Sequence, residues 1–147
     1  MGLKALAGRE VLASIEEQLN NSTVEADDAG VVIKSEAVPS VLRFLKDSPE
    51  FNLDYLTAVS GVDYLEYFEV VYHLTSMGKK HTLVVKTRCY TRDNPEIPSV
   101  TSLWQGADFQ EREIYDLLGI NFRGHPNLKR IALWEGFEGY PLRKDYL

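Results

Sequence analysis

Three side chains in the last third of the chain could take part in acid–base chemistry. Glu113 and Asp116 are three residues apart, so on a helix they would share one face, and His125 follows soon after. Two carboxyl groups and a histidine can act as general acid and base in a hydrolase. The competing interpretation is structural: Arg112 pairs with Asp116 four residues on, and no nucleophile or phosphate loop accompanies the acids. The residues favour this structural interpretation.

The histidines and the single cysteine give little support for a metal site. His73 and His81 could approach each other across a hairpin, but a metal ion would need further ligands. Cys89 lies in a run of alternating apolar residues, which predicts a buried thiol. A single cysteine also excludes an internal disulfide and any multi-cysteine cluster built by this chain alone. No metal-binding residue is therefore predicted.

Phosphate, nucleotide and nucleic-acid sites are not indicated either. The chain contains no dinucleotide fingerprint, no phosphate-binding loop and no serine nucleophile turn. Its net charge of −6 opposes generic binding to nucleic acid. No run approaches the roughly 20 apolar residues that span a bilayer, and the first residues do not form a secretory signal. We therefore expect a protein made in the cytoplasm.

The first third of the chain predicts a plain framework without recognisable chemistry. Apolar residues at helical spacing predict a helix over 9–19, and Val31–Ile33 is a β-branched run that predicts a strand. Pro39 opens a second predicted helix, which ends before Pro49.

The middle of the chain alternates as a strand does. Over 68–74 the apolar residues share one face: Phe68, Val70, Tyr72 and Leu74. After a turn, the run over 82–89 returns with Leu83, Val85 and Cys89 predicted to point inward, and 56–64 supplies a third strand of an antiparallel meander. These patterns predict an α+β fold of two layers, in which a mostly antiparallel sheet is covered by the N-terminal helices.

A capped helix and an irregular segment are predicted after the sheet. Asp108 and Glu111 are spaced as a capping box, and Gly119 suits the C-terminal end of a helix over 109–118. From residue 121 onwards there is little periodicity, but aromatic residues and arginines are frequent, which is typical of a partner-binding segment. We treat residues 1–147 as one domain, with an α+β core over 1–92 and a helix with a docking tail over 93–147.

An ordered series of motifs in the second half resembles a known family. It runs from Glu-Arg-Glu-Ile-Tyr-Asp at 111–116, through Gly-His-Pro at 124–126, to Pro-Leu-Arg-Lys-Asp-Tyr at 141–146. The upstream run Asn-Pro-Glu-Ile-Pro at 94–98 fits the same pattern. The series is similar to the thirty-kilodalton subunit family, also called the C-type subunits, of complex I, the NADH:quinone oxidoreductase of respiratory chains.

The resemblance implies a function that no single residue shows. Members of this family are non-catalytic scaffold subunits in the peripheral arm of a proton-pumping complex, on the cytoplasmic face of the cell membrane. They have no active site and bind no cofactor, whereas NADH, FMN, iron–sulfur clusters and quinone are used by other subunits. Their chief partner is the large quinone-site subunit, of the forty-nine-kilodalton type. Nucleic acid plays no part, and the membrane is reached only through the complex.

The resemblance also gives ten partner-binding candidates, either interface residues or residues that support an interface. They are Glu111, Arg112, Tyr115, Asp116, His125, Arg130, Arg143, Lys144, Asp145 and Tyr146. If 141–146 is an exposed strip, Arg143→Glu should change the free energy of unfolding by no more than about 0.5 kcal/mol and still weaken assembly. Two alternatives stay open: a hydrolase that uses Glu113, Asp116 and His125, and a free-standing binding module outside any respiratory complex.

Overall fold

Eight strands and three α-helices form within residues 2–130 and 138–144, the part of the chain that the computed structural model describes. The strands are β1 (Lys4–Ala5), β2 (Thr23–Ala26), β3 (Val31–Ile33), β4 (Tyr55–Asp63), β5 (Phe68–Ser76), β6 (His81–Cys89), β7 (Glu96–Pro98) and β8 (Asn121–Arg123). The helices are α1 (Gly8–Gln18), α2 (Val38–Asp47) and α3 (Ala107–Leu118). Each helix that the sequence predicted is present, with its bounds moved by one or two residues.

Strands β4, β5 and β6 form the predicted antiparallel meander. Residues directly opposite each other on neighbouring strands share a face of the sheet, and Tyr72 lies opposite both Val59 and Val85. The apolar residues of β5 that were predicted to point inward are at most 1% exposed: Phe68, Val70, Tyr72 and Leu74. The α+β class is confirmed, and the alternation of β5 marks its buried face.

The large sheet is mixed, because two of its pairings are parallel. Its main path is β2-β3-β6-β5-β4, β1 also pairs with β6, and both β1 and β3 run parallel to β6. All three residues of β3 are buried, as is typical of a parallel strand. The prediction of a mostly antiparallel sheet therefore holds for the meander and for β2–β3, but it missed the parallel additions.

Two glycines allow the backbone to pack closely where α1 and the residue before β3 meet the sheet. A Cβ atom on Gly8 would lie 1.9 Å from the carbonyl oxygen of Gly30, and a Cβ atom on Gly30 would lie 2.4 Å from that of Val84. Both contacts are with backbone atoms, which cannot turn away as the end of a side chain can. The start of α1 is thus in direct contact with the residue that precedes β3.

The three helices line the buried face of the sheet. The inward residues of α1 and α2 have no exposed surface: Val11, Ile15, Val41, Leu42 and Leu45. Helix α3 packs on β4, since a Cβ atom on Gly61 would lie 2.9 Å from Leu118 and 3.0 Å from Ile114. The N-terminal helices were predicted to cover the sheet, whereas this contribution of α3 was not. Of the helices in the described residues, none is long and apolar enough to cross a membrane.

A second, two-stranded sheet joins the loop before α3 to the segment after it. Strands β7 and β8 are parallel, and Ile97 lies opposite Phe122 with both side chains at most 2% exposed. The expectation of an irregular segment from residue 121 onwards is wrong at 121–123, where β8 forms. Pro95 lies just before β7, where its carbonyl oxygen accepts a hydrogen bond from the backbone N–H of Asn121 at 2.8 Å. The proline therefore flanks a short strand rather than preventing it.

Candidate partner-binding site

Helix α3 begins earlier than the capping box predicts. Its N-cap is Gly106, and Asp108 lies inside the first turn without acting as a cap. The capping-box prediction is wrong because Glu111 has other donors. Its carboxylate accepts hydrogen bonds from the hydroxyl of Ser99 at 2.6 Å and from the backbone N–H of Val100 at 2.9 Å. Glu111 has no exposed surface. It therefore bonds the preceding loop to α3 from inside the protein and could not contact a partner itself.

The C-terminal end of α3 is capped by a glycine and by the segment 138–144. Gly119 has a φ of +80° and donates its N–H to the carbonyl oxygen of Tyr115 at 2.9 Å, as predicted for a glycine at this position. The backbone N–H of Leu142 and Nε of Arg143 donate to the carbonyl oxygens of the last two helical residues, at 3.0 and 2.6 Å. These carbonyls have no partner within the helix, so the C-terminal segment satisfies them.

Asp116 pairs with Arg130, which is 14 residues away and so lies outside the i,i+4 spacing of side-chain pairs on a helix. Nε of Arg130 donates to Oδ1 of Asp116 at 2.5 Å, and Nη2 of the same guanidinium donates to the carbonyl oxygen of Gly139 at 2.6 Å. The predicted pair of Arg112 with Asp116 is wrong: Nε of Arg112 instead lies 3.7 Å from Oδ1 of Asp108. The Asp116 side chain has no exposed surface. Arg130 thus joins a buried carboxylate to the C-terminal segment.

Asp63 is a further buried carboxylate, and sequence analysis did not single it out. It accepts hydrogen bonds from two guanidinium nitrogens of Arg92 at 2.9 and 2.8 Å. It also accepts the backbone N–H groups of Leu65 at 2.7 Å and Lys144 at 2.8 Å. Asp63 therefore connects the end of β4, the loop before β7 and the C-terminal segment. An aspartate at the end of an apolar strand was the available signal, but two of its partners are 29 and 81 residues away.

Arg143 packs against the core rather than projecting from an exposed strip. Its guanidinium lies 5.0 Å from the ring centroid of Phe68 and 5.0 Å from that of Tyr140. Phe68 has no exposed surface, so Arg143 covers part of the core. The assumption of exposure, on which the mild effect of Arg143→Glu was based, is wrong.

We now expect Arg143→Glu to lower the free energy of unfolding by about 1–3 kcal/mol. The new carboxylate would face two aromatic rings and the carbonyl oxygen of Leu118, which needs a donor. Thermal unfolding of the isolated chain measures the loss, with Arg9→Glu on the exposed face of α1 as the control. An unchanged midpoint would restore the exposed-strip interpretation.

The other candidates lie around these contacts. Tyr115 is half-buried, and its ring centroid is 6.3 Å from that of Tyr140. Lys144 is exposed, although its backbone N–H is held by the carboxylate described above. Asp145 and Tyr146 lie outside the described residues.

The three residues of the hydrolase alternative have separate surroundings. Glu113 is exposed, and Asp116 is buried beside Arg130. The side chain of His125 has no exposed surface, and its Nε2 lies 2.9 Å from Oδ1 of Asp108. The fold thus brings His125 to Asp108 rather than to the two acids of the hypothesis.

The histidine pair of the hairpin is also separated. His73 is exposed, whereas Nε2 of His81 lies 2.6 Å from the carbonyl oxygen of Phe51. Within 2–130 and 138–144, no group of three or more histidine, cysteine or acidic side chains could hold a metal ion. Cys89, predicted to be buried, is only partly so and packs against the core.

Comparison with known proteins identifies the family. The family model described as "Respiratory-chain NADH dehydrogenase, 30 Kd subunit" matches residues 31–147. The chain belongs to this family. All ten partner-binding candidates lie in the matched region, and so does Asp63.

Relatives from this family are similar over most of the chain. The C-type subunit of the NADH-quinone oxidoreductase of Roseiflexus castenholzii is 44% identical over 136 residues, which cover 90% of this chain and 78% of the relative. The C/D-type subunit of the NADH-quinone oxidoreductase of Phocaeicola vulgatus is 47% identical over 96 residues, 65% of this chain and 18% of the relative. The chain is accordingly a thirty-kilodalton, or C-type, member of the respiratory-chain NADH dehydrogenase subunit family.

A solved structure shows the same fold in a related assembly. One chain of the membrane-bound sulfane sulfur reductase, described as an archaeal respiratory membrane complex, matches with a TM-score of 0.73 and 25% identity. The match covers 95% of this chain and 85% of that chain. The fold therefore occurs as one part of a respiratory membrane complex.

Two buried carboxyl groups should give this respiratory-chain subunit opposite pH dependences. Hydrogen bonds from Arg92 hold the pKa of Asp63 well below its ordinary value of 3.8, whereas burial raises the pKa of Glu111 above its ordinary value of 4.5. A lowered native pKa gives stability that is present above the ordinary value and is lost as the pH falls through the native pKa. A raised native pKa has the opposite sign: stability falls as the pH rises above the ordinary value.

We therefore expect Asp63→Asn to flatten the stability profile below a pH of about 3.8, and Glu111→Gln to flatten it above about 4.5. Urea unfolding at a series of pH values measures both profiles. Asp28→Asn is the control, because the side chain of Asp28 is 84% exposed. A Glu111→Gln profile parallel to that of the control would contradict the assigned effect of burial.

Proposed function

We propose that this chain is a non-catalytic scaffold subunit in the peripheral arm of a proton-pumping NADH:quinone oxidoreductase. It docks onto the large quinone-site subunit, of the forty-nine-kilodalton type, on the cytoplasmic face of the cell membrane, and so supports electron transfer from NADH to quinone. NADH, FMN, iron–sulfur clusters and quinone are bound by other subunits of the complex, and this chain binds none of them.

The observation that carries the proposal is that charged residues among the partner-binding candidates bond to groups inside this chain. Asp116 with Arg130, and Glu111 with the loop before α3, form pairs inside the chain instead of converging on a pocket. Buried polar networks with all members bonded specify one rigid arrangement. A rigid surface loses less conformational entropy when a partner binds, which suits a scaffold better than an enzyme.

The name of one relative supports the choice of partner. The Phocaeicola vulgatus relative is called a C/D subunit, and this chain aligns with only 18% of its length. A protein in which two subunits are joined holds them at a high effective concentration, which favours direct contact between the two parts. We take the second part to be the large quinone-site subunit.

Purification of the tagged chain from gently solubilised host membranes tests the proposal. Mass spectrometry should identify the cluster-bearing and quinone-site subunits together with membrane subunits, and an untagged preparation gives the background. Recovery of the chain alone or with unrelated soluble proteins would reject the scaffold role. Recovery with a partner but without redox subunits would instead indicate a free-standing binding module.

A branch of the family with a different electron donor is a second candidate function. The structural match to the sulfane sulfur reductase chain extends over 95% of this chain. The fold therefore also occurs in a respiratory complex named for a reaction other than NADH oxidation. The same purification distinguishes the branches. A flavin-bearing, NADH-oxidising subunit in the recovered complex would indicate NADH as donor, and its absence from an otherwise intact complex would indicate another donor.

A further inference from the structure

The three arginines among the ten partner-binding candidates differ in how fully their side chains are bonded. Arg130 donates to Asp116 and to a backbone carbonyl, and Arg143 donates to a carbonyl and covers two rings. Nε of Arg112, by contrast, is a buried atom without a hydrogen-bond partner among the described residues. Its ion-pair contact, to Oδ1 of Asp108, is 3.7 Å long. Of these three arginines, Arg112 is therefore the one whose Nε lacks a hydrogen bond within the described residues.

The surroundings of Arg112 make its unsatisfied Nε unfavourable for stability. Its side chain is only 18% exposed, so water reaches little of the guanidinium. A buried polar group without its hydrogen bonds lowers stability. Asp116, at the favourable i+4 position, is already bonded to Arg130. A guanidinium presents a planar fork of donors that fits both oxygens of one carboxylate, and that fork is not used by Asp108 at 3.7 Å.

An exposed aromatic residue lies beside Arg112. Phe109 is three residues earlier on α3, which places it next to Arg112 on the helix surface. Its side chain is 57% exposed although it is large and apolar. Aromatic residues and arginines are the residue types that contribute most to protein–protein binding. Two separate observations, exposure of Phe109 and incomplete bonding of Arg112, thus fall on one face of α3.

We propose that Phe109 and Arg112 form the contact of α3 with the partner protein. Phe109 packs among apolar side chains of the partner, and Arg112 donates two hydrogen bonds to one aspartate or glutamate carboxylate of the partner. The inference rests on the proposed function, which makes the partner the large quinone-site subunit. It assigns Arg112 to the interface, and it assigns Arg130 and Arg143 to the inside of this chain.

A protein carboxylate suits this face better than a polyanion or a lipid surface. Asp108 is 3.7 Å from Arg112, and the exposed Glu113 is its neighbour in the chain. Nucleic acid and anionic membranes are bound by clusters of basic residues, and the acids beside Arg112 oppose such a cluster. An ion pair between Arg112 and one carboxylate of a partner protein requires no cluster of basic residues.

The test compares three variants of the tagged chain in the membrane purification. Arg112→Gln should recover at least about tenfold less of the large quinone-site subunit than wild type, and Arg112→Lys, which keeps the charge but loses the fork, should fall between them. Arg9→Gln is the control, because Arg9 is 66% exposed and its ion-pair partner Asp28 is 84% exposed. The unfolding midpoint of isolated Arg112→Gln should stay the same or rise, whereas a structural role for Arg112 would lower it.

The outcomes separate this inference from the proposed function. If wild type recovers no large subunit, the proposed function fails. If wild type recovers it and Arg112→Gln does so equally well, only the inference about α3 is overturned, and a lowered midpoint of Arg112→Gln would overturn it too. A photo-crosslinking residue at position 109 gives a second readout that leaves Arg112 intact. It should crosslink the large subunit beside an acidic residue, and a crosslink to a different subunit would contradict the assignment.

Discussion

Asp63→Ala should lower the free energy of unfolding of the isolated chain by about 3–5 kcal/mol, because it removes the buried member of an ion pair. The Asp63 carboxylate has no exposed surface and accepts two hydrogen bonds from Arg92. It also accepts the backbone N–H groups of Leu65 and Lys144, which would have to find other acceptors. For a chain of this length the loss corresponds to roughly 10 °C in the unfolding midpoint.

Chemical and thermal unfolding of the isolated chain measure this effect. Asp28→Ala is the matched control, because it removes a carboxylate from an exposed pair with Arg9. A double-mutant cycle of Asp63 with Arg92 should give a coupling free energy within the range of about 0.5–3 kcal/mol, and near its upper end. A loss in Asp63→Ala as small as that in Asp28→Ala would mean that Asp63 does not connect the three segments.

The parts of the fold that depend on local periodicity could be predicted from the sequence. The stripe of α1 and the alternation of β5 repeat within a few residues, and both elements are present. The parallel pairing of β3 with β6 could not be predicted, because it joins Val31 to Val85 and depends on the path of the chain between them. The β7–β8 pair was missed because a proline next to a short strand looks the same in sequence as a proline in a loop.

The candidate site shows the same division between near and distant contacts. Gly119 was predicted correctly because the end of a helix and its glycine are neighbours in sequence. Asp116 was given the wrong partner because the i+4 rule selects Arg112, whereas Arg130 is 14 residues away. The family resemblance gave candidate residues without saying which of them face outward. Burial makes that distinction, since Glu111 has no exposed surface and Phe109, which was not a candidate, is largely exposed.

Arg130→Met should lower the free energy of unfolding by about 3–5 kcal/mol and also strongly reduce recovery of partner subunits. Methionine keeps an apolar stem but loses the guanidinium that contacts the Asp116 carboxylate and the carbonyl oxygen of Gly139. The guanidinium also lies 4.9 Å from the ring centroid of Tyr140. Because Asp116 is buried, removal of its cationic partner carries a larger penalty than loss of a surface pair.

Hydrogen exchange and unfolding together separate the two expected effects of Arg130→Met. Exchange at the backbone N–H of Leu142, which bonds to the end of α3, should become faster if the C-terminal segment loosens. Arg123→Met is the control in the same region, since Arg123 is 59% exposed and its partner Glu96 is 47% exposed. Arg130→Lys should behave more like Arg130→Met than like wild type, because an ammonium group cannot reach both acceptors as the planar fork does. If Arg130→Lys matched wild type in stability and exchange, charge alone would hold the segment, and the fork geometry would have no role in the fold.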